Sequence, residues 1–561
     1  MSIRVMLAGV IAMLLLLTSC SIEDSSQKLQ PDIPEGESYI AEDSTFFSTV
    51  DIAERTQSFS DSNGDLWPVA WSDDDHLYTA NGDGRGFDWG HPWADIVVNR
   101  VDGQPADDSM SGERLASGVE VGQVWSDPDK YNKKPTGMIS VDGVLYMAVQ
   151  DLNKEKSAAT FNDVPAATII KSTDKGLTWT WDKDKPMFSN YQFTTIMFLD
   201  YGKDGENNTF DDYIYAYGLD YNWRDSFSDT VPDPTKMYLA RMPKTALQDV
   251  TKWEYYTGDL YGYARWSEPS KIEEKKPVLR DDRRVYTDLL QDGLSNMSVI
   301  SQSSIVYNKP LERYIYSSWT EFTFEFYEAP TPWGPWKKFL SKDFGVYPWT
   351  HEKHGGYATV IPSKFISENG KEMWVNGNTF VGGIEIYSFS LRKLKVTPYE
   401  KTKAKNKKND GVNLALSKNG KDATTLTRSS HYGNSHFMND GIKEQSEDSW
   451  NGEIKKEDYW GYTWSQAYRM NQLVYTTGQM FGTDGGWFED MKVQVRQDFV
   501  WKDVDDLVIS HDYSFDGGAG ANTSYTLDFS NIWGDGVRLI GMPGGTGKFT
   551  SIAELEVYYT Q

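Results

Sequence analysis

Cysteine is almost missing from this chain: one residue in 561, at position 20. Intrachain disulfides are excluded, so stability must come from large packed cores. Histidine is scarce too; of seven, only the pairs His351/His354 and His431/His436 lie close in sequence. Without a Cys/His ligand set, catalytic zinc is not expected. Basic residues are outnumbered, 56 Lys and Arg against 82 Asp and Glu, leaving a net charge of −26. Nucleic acid and anionic membrane surfaces both demand basic patches and fit poorly as partners. A strongly anionic polysaccharide fits poorly as well, and a neutral glycan fits better. Sustained helical periodicity, a phosphate-cradling Gly-rich turn and a nucleophile-elbow pattern are all lacking.

What is present begins at the N-terminus. Arg4 and the apolar run Val5–Leu17 have the charge and length of a signal segment, too short for a full membrane span. Leu17-Thr18-Ser19-Cys20 resembles the lipobox of bacterial lipoproteins. That resemblance implies removal of residues 1–19 and lipidation of Cys20. Ser21 fits outer-membrane sorting, and Glu23-Asp24 resembles a surface-export signal of Bacteroidetes lipoproteins. Residues 20–60, rich in Ser, Asp, Glu, Gln and Pro, read as the lipidated cysteine and its tether. The expected place of action is the outer membrane, facing outward, as a monomer.

From 61 to 395, short apolar-aromatic runs such as Gly143–Val149, Asp212–Gly218 and Glu312–Ser318 are broken by Gly, Asp, Asn and Pro. They read as strands, and their spacing suits a β-propeller, with five large blades favoured. Ser172–Trp179 matches the Asp-box turn found in many propellers, with Gly176 at a positive-φ position, Asp174 bonding backbone amides and Trp179 packing beneath. The lysine-rich stretch 396–418 reads as a solvated linker. The fold class expected is all-β: a propeller followed by a β-sandwich jelly roll.

Two resemblances add to this. Asn63–Gly84, Lys134–Tyr146, Ile214–Tyr221 and Tyr327–Trp336 resemble a family of bacterial and phage proteins, long catalogued as of unknown function, that includes endo-D-arabinanases. From Gly411 onward the chain resembles the galactose-binding-like (discoidin, F5/8 type C) module, set at 419–561. The carrying motifs are Leu426–Ser430, Asn439–Gly441, Trp450–Gly452, Met491–Gln497 and Phe549–Tyr558. The module resemblance implies carbohydrate binding and a structural calcium held by Asp440 and Glu554, oxygen ligands suited to a hard cation. Trp450, Trp460, Trp464 and Trp487 lie in loop-like contexts, with Arg496 and Asn522 as polar partners, and at least two of these tryptophans belong to the core.

Glycosidic cleavage needs two carboxyl groups flanking the scissile bond. On the propeller resemblance Asp65 and Asp83, in Gly-rich strand-end loops, are the leading catalytic pair, with Asp220 and Glu268 behind them. Arg85, Trp89, His91, Arg224 and His354 are candidates for lining a sugar cleft. The function expected is an endo-acting glycoside hydrolase on an arabinose-containing or other neutral polysaccharide, without a catalytic cofactor. A polysaccharide lyase and a non-catalytic surface glycan-binding lipoprotein are the alternatives.

Overall fold

Short aromatic and β-branched runs become strands here because sheets cover them on both faces. Our computed structural model describes residues 38–154, 163–224, 231–260, 262–285, 297–320, 323–344, 356–381, 384–400, 406, 410–419, 422–509 and 513–560. The protein is all-β, and among the described residues every helical segment is a short 3-10 turn. Among the described residues of this region, five antiparallel units follow one another in chain order, beside a two-stranded pair of Arg284–Val285 with Met297–Ser298. The first holds Asn63–Asp65, Leu77–Gly86, Ala94–Asp102 and Ser111–Ser117, with Val69–Trp71 also on Leu77–Gly86. The second holds Tyr131–Val141, Val144–Asn153 and Ala167–Ser172. The third runs outward from Thr195–Asp200 through Tyr213–Leu219, Lys236–Pro243 and Glu254–Leu260 to Tyr263–Trp266. The fourth runs from Ile305–Asn308 to Lys337–Asp343, and a short parallel pairing, Leu199 with Ile305, joins it to the third.

The fifth sheet is built from both ends of this region. Tyr357–Val360, Glu372–Val381 and Leu391–Pro398 are completed on the outside by Phe47–Ile52. Residues 20–60 are therefore not all tether. Phe47 and Ile52 are buried with Leu394 and Val396, because their alternating apolar pattern suits an edge strand. Val69, Met138, Phe198, Ile305 and Val360, one from each sheet, line a single narrow channel. The sheets thus share an axis, as propeller blades do. Buried charges are paired: Glu325 with Arg283 at 2.8 Å, and Glu328 with Arg313 on the neighbouring strand of the same sheet at 3.1 Å.

The Asp-box turn forms as its residues dictate. Gly176 has φ +89°, Thr178 N donates to Asp174 Oδ1 at 2.9 Å, and Trp179 Nε1 donates to Gly176 O at 3.0 Å.

The C-terminal domain is organised by two long strands, Asp458–Thr477 and Ser524–Gly541. Irregularities at Thr463/Tyr468 and Met470/Gln472 bend the first, so that it pairs with Thr424–Thr427 near one end and Ser551–Tyr558 near the other. The folded-over sheet encloses Trp460 and Trp464, which are fully buried strand residues rather than loop residues. Leu414 and Ala415 lie in the same core, and Leu414 N donates to Val557 O at 2.8 Å. This domain therefore begins before 419, and the linker is shorter than 396–418.

The two parts are clamped together. Arg496 is not a sugar contact: its Nη2 donates to Ser48 O at 2.6 Å and its Nε to Asp535 at 2.8 Å. Asn451 Nδ2 reaches Asp343 Oδ2 at 2.7 Å, and Ser435 Oγ reaches Glu54 Oε1 at 3.1 Å. Asn522 is an exposed turn residue at φ 53°. Replacing Arg496 with alanine leaves Asp535 buried and unpaired, at a cost of about 3 kcal/mol. In urea titrations followed by tryptophan fluorescence, Arg496→Ala is expected to lower the midpoint and separate the two domains' transitions; an unchanged single transition would count against the clamp.

Candidate functional site

At one end of the axis the first strands of the sheets begin and their second strands finish. Asp65 lies there, 7% exposed, followed by Leu66 and Trp67 at positive φ. Its Oδ2 accepts from the Tyr357 hydroxyl at 3.0 Å. Asn378 grips the same turn, accepting from Leu66 N at 3.3 Å and donating to Gly64 O at 3.1 Å. Tyr357 and Asn378 belong to the fifth sheet, so ring closure itself sets this carboxyl. Gly82 pairs with Asp65 across the ladder, and a Cβ there would lie 2.6 Å from Asp65 Oδ1 and 3.3 Å from Lys134 Cδ. Only glycine allows the next residue, Asp83, to come so close. Asp83, at φ 36°, is ion-paired with Lys134, whose side chain is only 3% exposed. The Lys134 ammonium also sits 5.7 Å from the centre of the exposed Trp93 ring.

A second set of contacts carries the face around the axis. Thr195 Oγ1 donates to Gln150 Oε1 at 2.8 Å, and Gln302 Nε2 donates to Pro135 O at 3.1 Å. Trp319 Nε1 donates to Gln302 O at 2.6 Å, and Gln302 N to Trp223 O at 2.6 Å. The rings of Trp223, Trp319 and Tyr357 follow at centroid spacings of 5.8 and 5.7 Å, forming an arc that ends at Asp65. Arg224 lies over Trp223 at 4.8 Å. Asp65, Asp83, Lys134 and Tyr357 are thus linked by bonds between the first, second and fifth sheets, with Trp223 and Trp319 packed behind Tyr357. Asp200, at the far end of strand Thr195–Asp200, is a separate group, pushed up to about 6 by burial.

The other sequence candidates are placed less centrally. Asp220 is tied down, accepting from Phe193 N at 2.7 Å and pairing with Lys275 at 3.1 Å. Glu268 is exposed beyond Tyr263–Trp266, the outermost strand of its sheet, and the fold does not bring it to the axis. Arg85 Nη1 bonds Trp89 O at 3.0 Å and His91 O at 3.3 Å, shaping its own hairpin. Trp89 is 52% exposed and donates to Asp61 at 2.8 Å, and His91 pairs with Asp88 at 2.8 Å. His354 lies outside the described residues. Sequence reading missed Lys134, Tyr357, Asn378 and Trp319 as functional residues. None carried a distinguishing local signal: Lys134 sits beside Lys133 in a mixed strand, Tyr-Asn-Lys-Lys-Pro-Thr.

The C-terminal domain offers a cup of about 400 Å³, lined by His431, Asp448, Trp450, Phe481, Asp484, Thr546, Gly547 and Phe549. Of the four tryptophans singled out from sequence, only Trp450 lines it; Trp487 is buried. The same domain contains the expected cation ligands. Gly441 N donates to Glu554 Oε2 at 3.1 Å, while Glu554 Oε1 is buried without a hydrogen-bond partner. Burial, with the Asp440 charge adding, pushes the Glu554 carboxyl up to about 7. Among the described residues no three His, Cys, Asp or Glu side chains gather as a metal cluster. A hard cation fits here only with backbone oxygens completing Asp440 and Glu554.

No curated protein matches the chain. Among solved structures, a provisionally assigned hydrolase from Bacteroides ovatus is 13% identical over 61% of this chain and 87% of its own, with a TM-score of 0.37. A family 32 CBM of Clostridium perfringens NanJ, solved with galactose, is 19% identical over 24% of this chain and 93% of its own, with a TM-score of 0.20. A module from Clostridium perfringens, CpGH89CBM32-5, solved with GalNAc-β-1,3-galactose, is 18% identical over 24% of this chain and 95% of its own, also at 0.20. Overlaps this low carry no inference about ligand or reaction. The family match is of another order: residues 53–342, just over half of the chain, fit the family described as "Domain of unknown function (DUF4185)", and the protein belongs to that family.

Proposed function

We propose that the protein is a glycan hydrolase whose reaction centre is the Asp65/Asp83 pair at the end of the axis. The observation that carries this is the placement of two acids on paired strands, Asp65 opposite Gly82 and Asp83 next to it, one ion-paired with Lys134 and the other bonded to Tyr357. The pairing with an ammonium holds Asp83 in place for the role of base or nucleophile. Asp65, more deeply buried and bonded to the Tyr357 hydroxyl, is assigned the proton donor. The exposed Trp93 offers an apolar face for a sugar ring, while Trp223, Trp319 and Tyr357 pack in the core beneath. An arabinose-containing or other neutral polysaccharide remains the substrate class that the net charge favours. Lys134 and Tyr357 also supply the cation and phenol that β-elimination uses, which keeps a lyase as the second reading.

With a polysaccharide panel, Asp65→Asn and Asp83→Asn are each expected to lower turnover roughly 10²- to 10⁴-fold, and Asp83→Asn, which strips the buried Lys134 ammonium of its counter-charge, to lower the melting temperature as well. Unchanged product formation in both variants would remove the pair. Products carrying an unsaturated uronate would replace hydrolysis with elimination.

The C-terminal domain, on this reading, holds glycan near the reaction centre and is braced by calcium at Asp440 and Glu554. Calcium is expected to raise its melting temperature by several degrees in the wild type and not in Glu554→Gln; equal shifts in both would exclude the site. A lipid on Cys20 would anchor the chain at the outer membrane as a monomer. Labelled fatty acid should enter the wild type and be lost in Cys20→Ser, which should leave the membrane fraction; retention of label would exclude Cys20 as the anchor.

A further inference from the structure

The cup in the C-terminal domain has a chemical bias that a neutral-sugar site does not need. Trp450 and His431 face one another edge to ring at 5.3 Å on one wall. Phe481 and Phe549 do the same on the other, also at 5.3 Å. Two aspartates share the lining, and among the described residues neither Lys nor Arg does. The nearest cation in sequence, Lys548, is turned to Glu489 at 2.9 Å.

Asp448 is held in place: its Oδ1 accepts from Trp450 N at 2.9 Å and its Oδ2 lies 3.2 Å from His431 Nδ1. Asp484 is different. Its backbone is fixed, accepting from Gly547 N at 2.7 Å, while its exposed carboxylate has one long bond, from Thr546 Oγ1 at 3.4 Å. Aromatic faces attract cations, and a carboxylate beside them adds to the attraction. The net charge of −26 favours approach of a cation over an anion. The cup's volume lies within the range of small-ligand sites.

We propose that this cup binds a sugar carrying a protonated amine, a 2-amino-2-deoxy residue whose ring lies against the aromatic walls and whose ammonium meets Asp484. This rests on the reading of the C-terminal domain as glycan-binding and goes beyond it in naming the charge of the ligand. The test is calorimetric titration of the full chain with a β-1,4-linked glucosamine tetramer, its fully N-acetylated counterpart and a neutral galactose tetramer. The amine is expected to bind at least tenfold more tightly than the acetamide, and Asp484→Asn to abolish that ratio. Trp450→Ala should weaken every ligand that binds the cup.

Equal affinity for amine and acetamide, or a preference that survives in Asp484→Asn, would overturn the proposal. Binding of the neutral tetramer alone would overturn it while leaving the domain a glycan binder. Binding of none of the three would overturn both.

Discussion

Pairing of Phe47–Ile52 with Leu391–Pro398 is the contact on which the rest of this protein depends. A ring of sheets has two free edges until its ends meet, and closure by one strand turns five local structures into one. Here the same strand carries a second load. It lies against the C-terminal domain, and Arg496 reaches its backbone at Ser48. Closure and domain docking are thus coupled through six residues near the start of the described chain.

Closure also reaches the chemistry. Tyr357 and Asn378, which fix Asp65 and its turn, sit in the sheet that Phe47–Ile52 completes, whereas Asp83 and Lys134 come from the first and second sheets. Asp65 and Asp83 share the first sheet, and the bonds from Tyr357 and Asn378 tie that sheet to the fifth, where the ring's beginning meets its end. Geometry set this way is held by long-range pairing rather than by a local loop, which suits a centre needing fixed separation between two acids.

Much of this was readable in the chain. The Asp box predicted a turn with Gly176, Asp174 and Trp179 in named places, because each residue's conformational and bonding preferences act locally. Asp65 and Asp83 were legible as strand-end acids among glycines. Lys134, Tyr357 and Trp319 were not, since what makes them functional is proximity across sheets far apart in sequence. Trp460 and Trp464 misled for the mirror reason: Gly and Tyr neighbours looked like loop, yet a long bent strand carries both into the core. Arg496 looked like a ligand contact and is a clamp. An exposed-looking arginine in a hairpin has no local sign that another domain will cover it.

Lys134 tells most about the division between fold and function. Its ammonium is almost wholly sealed, with Asp83 as ion-pair partner and Trp93 as a face. A buried pair of this kind adds little net stability, because the cost of removing two charges from water nearly cancels their attraction. Two apolar side chains would hold the first and second sheets together equally well. The ion pair is therefore better explained by what it does for Asp83, fixing the position of its carboxylate beside Asp65's strand, than by what it does for the sheets.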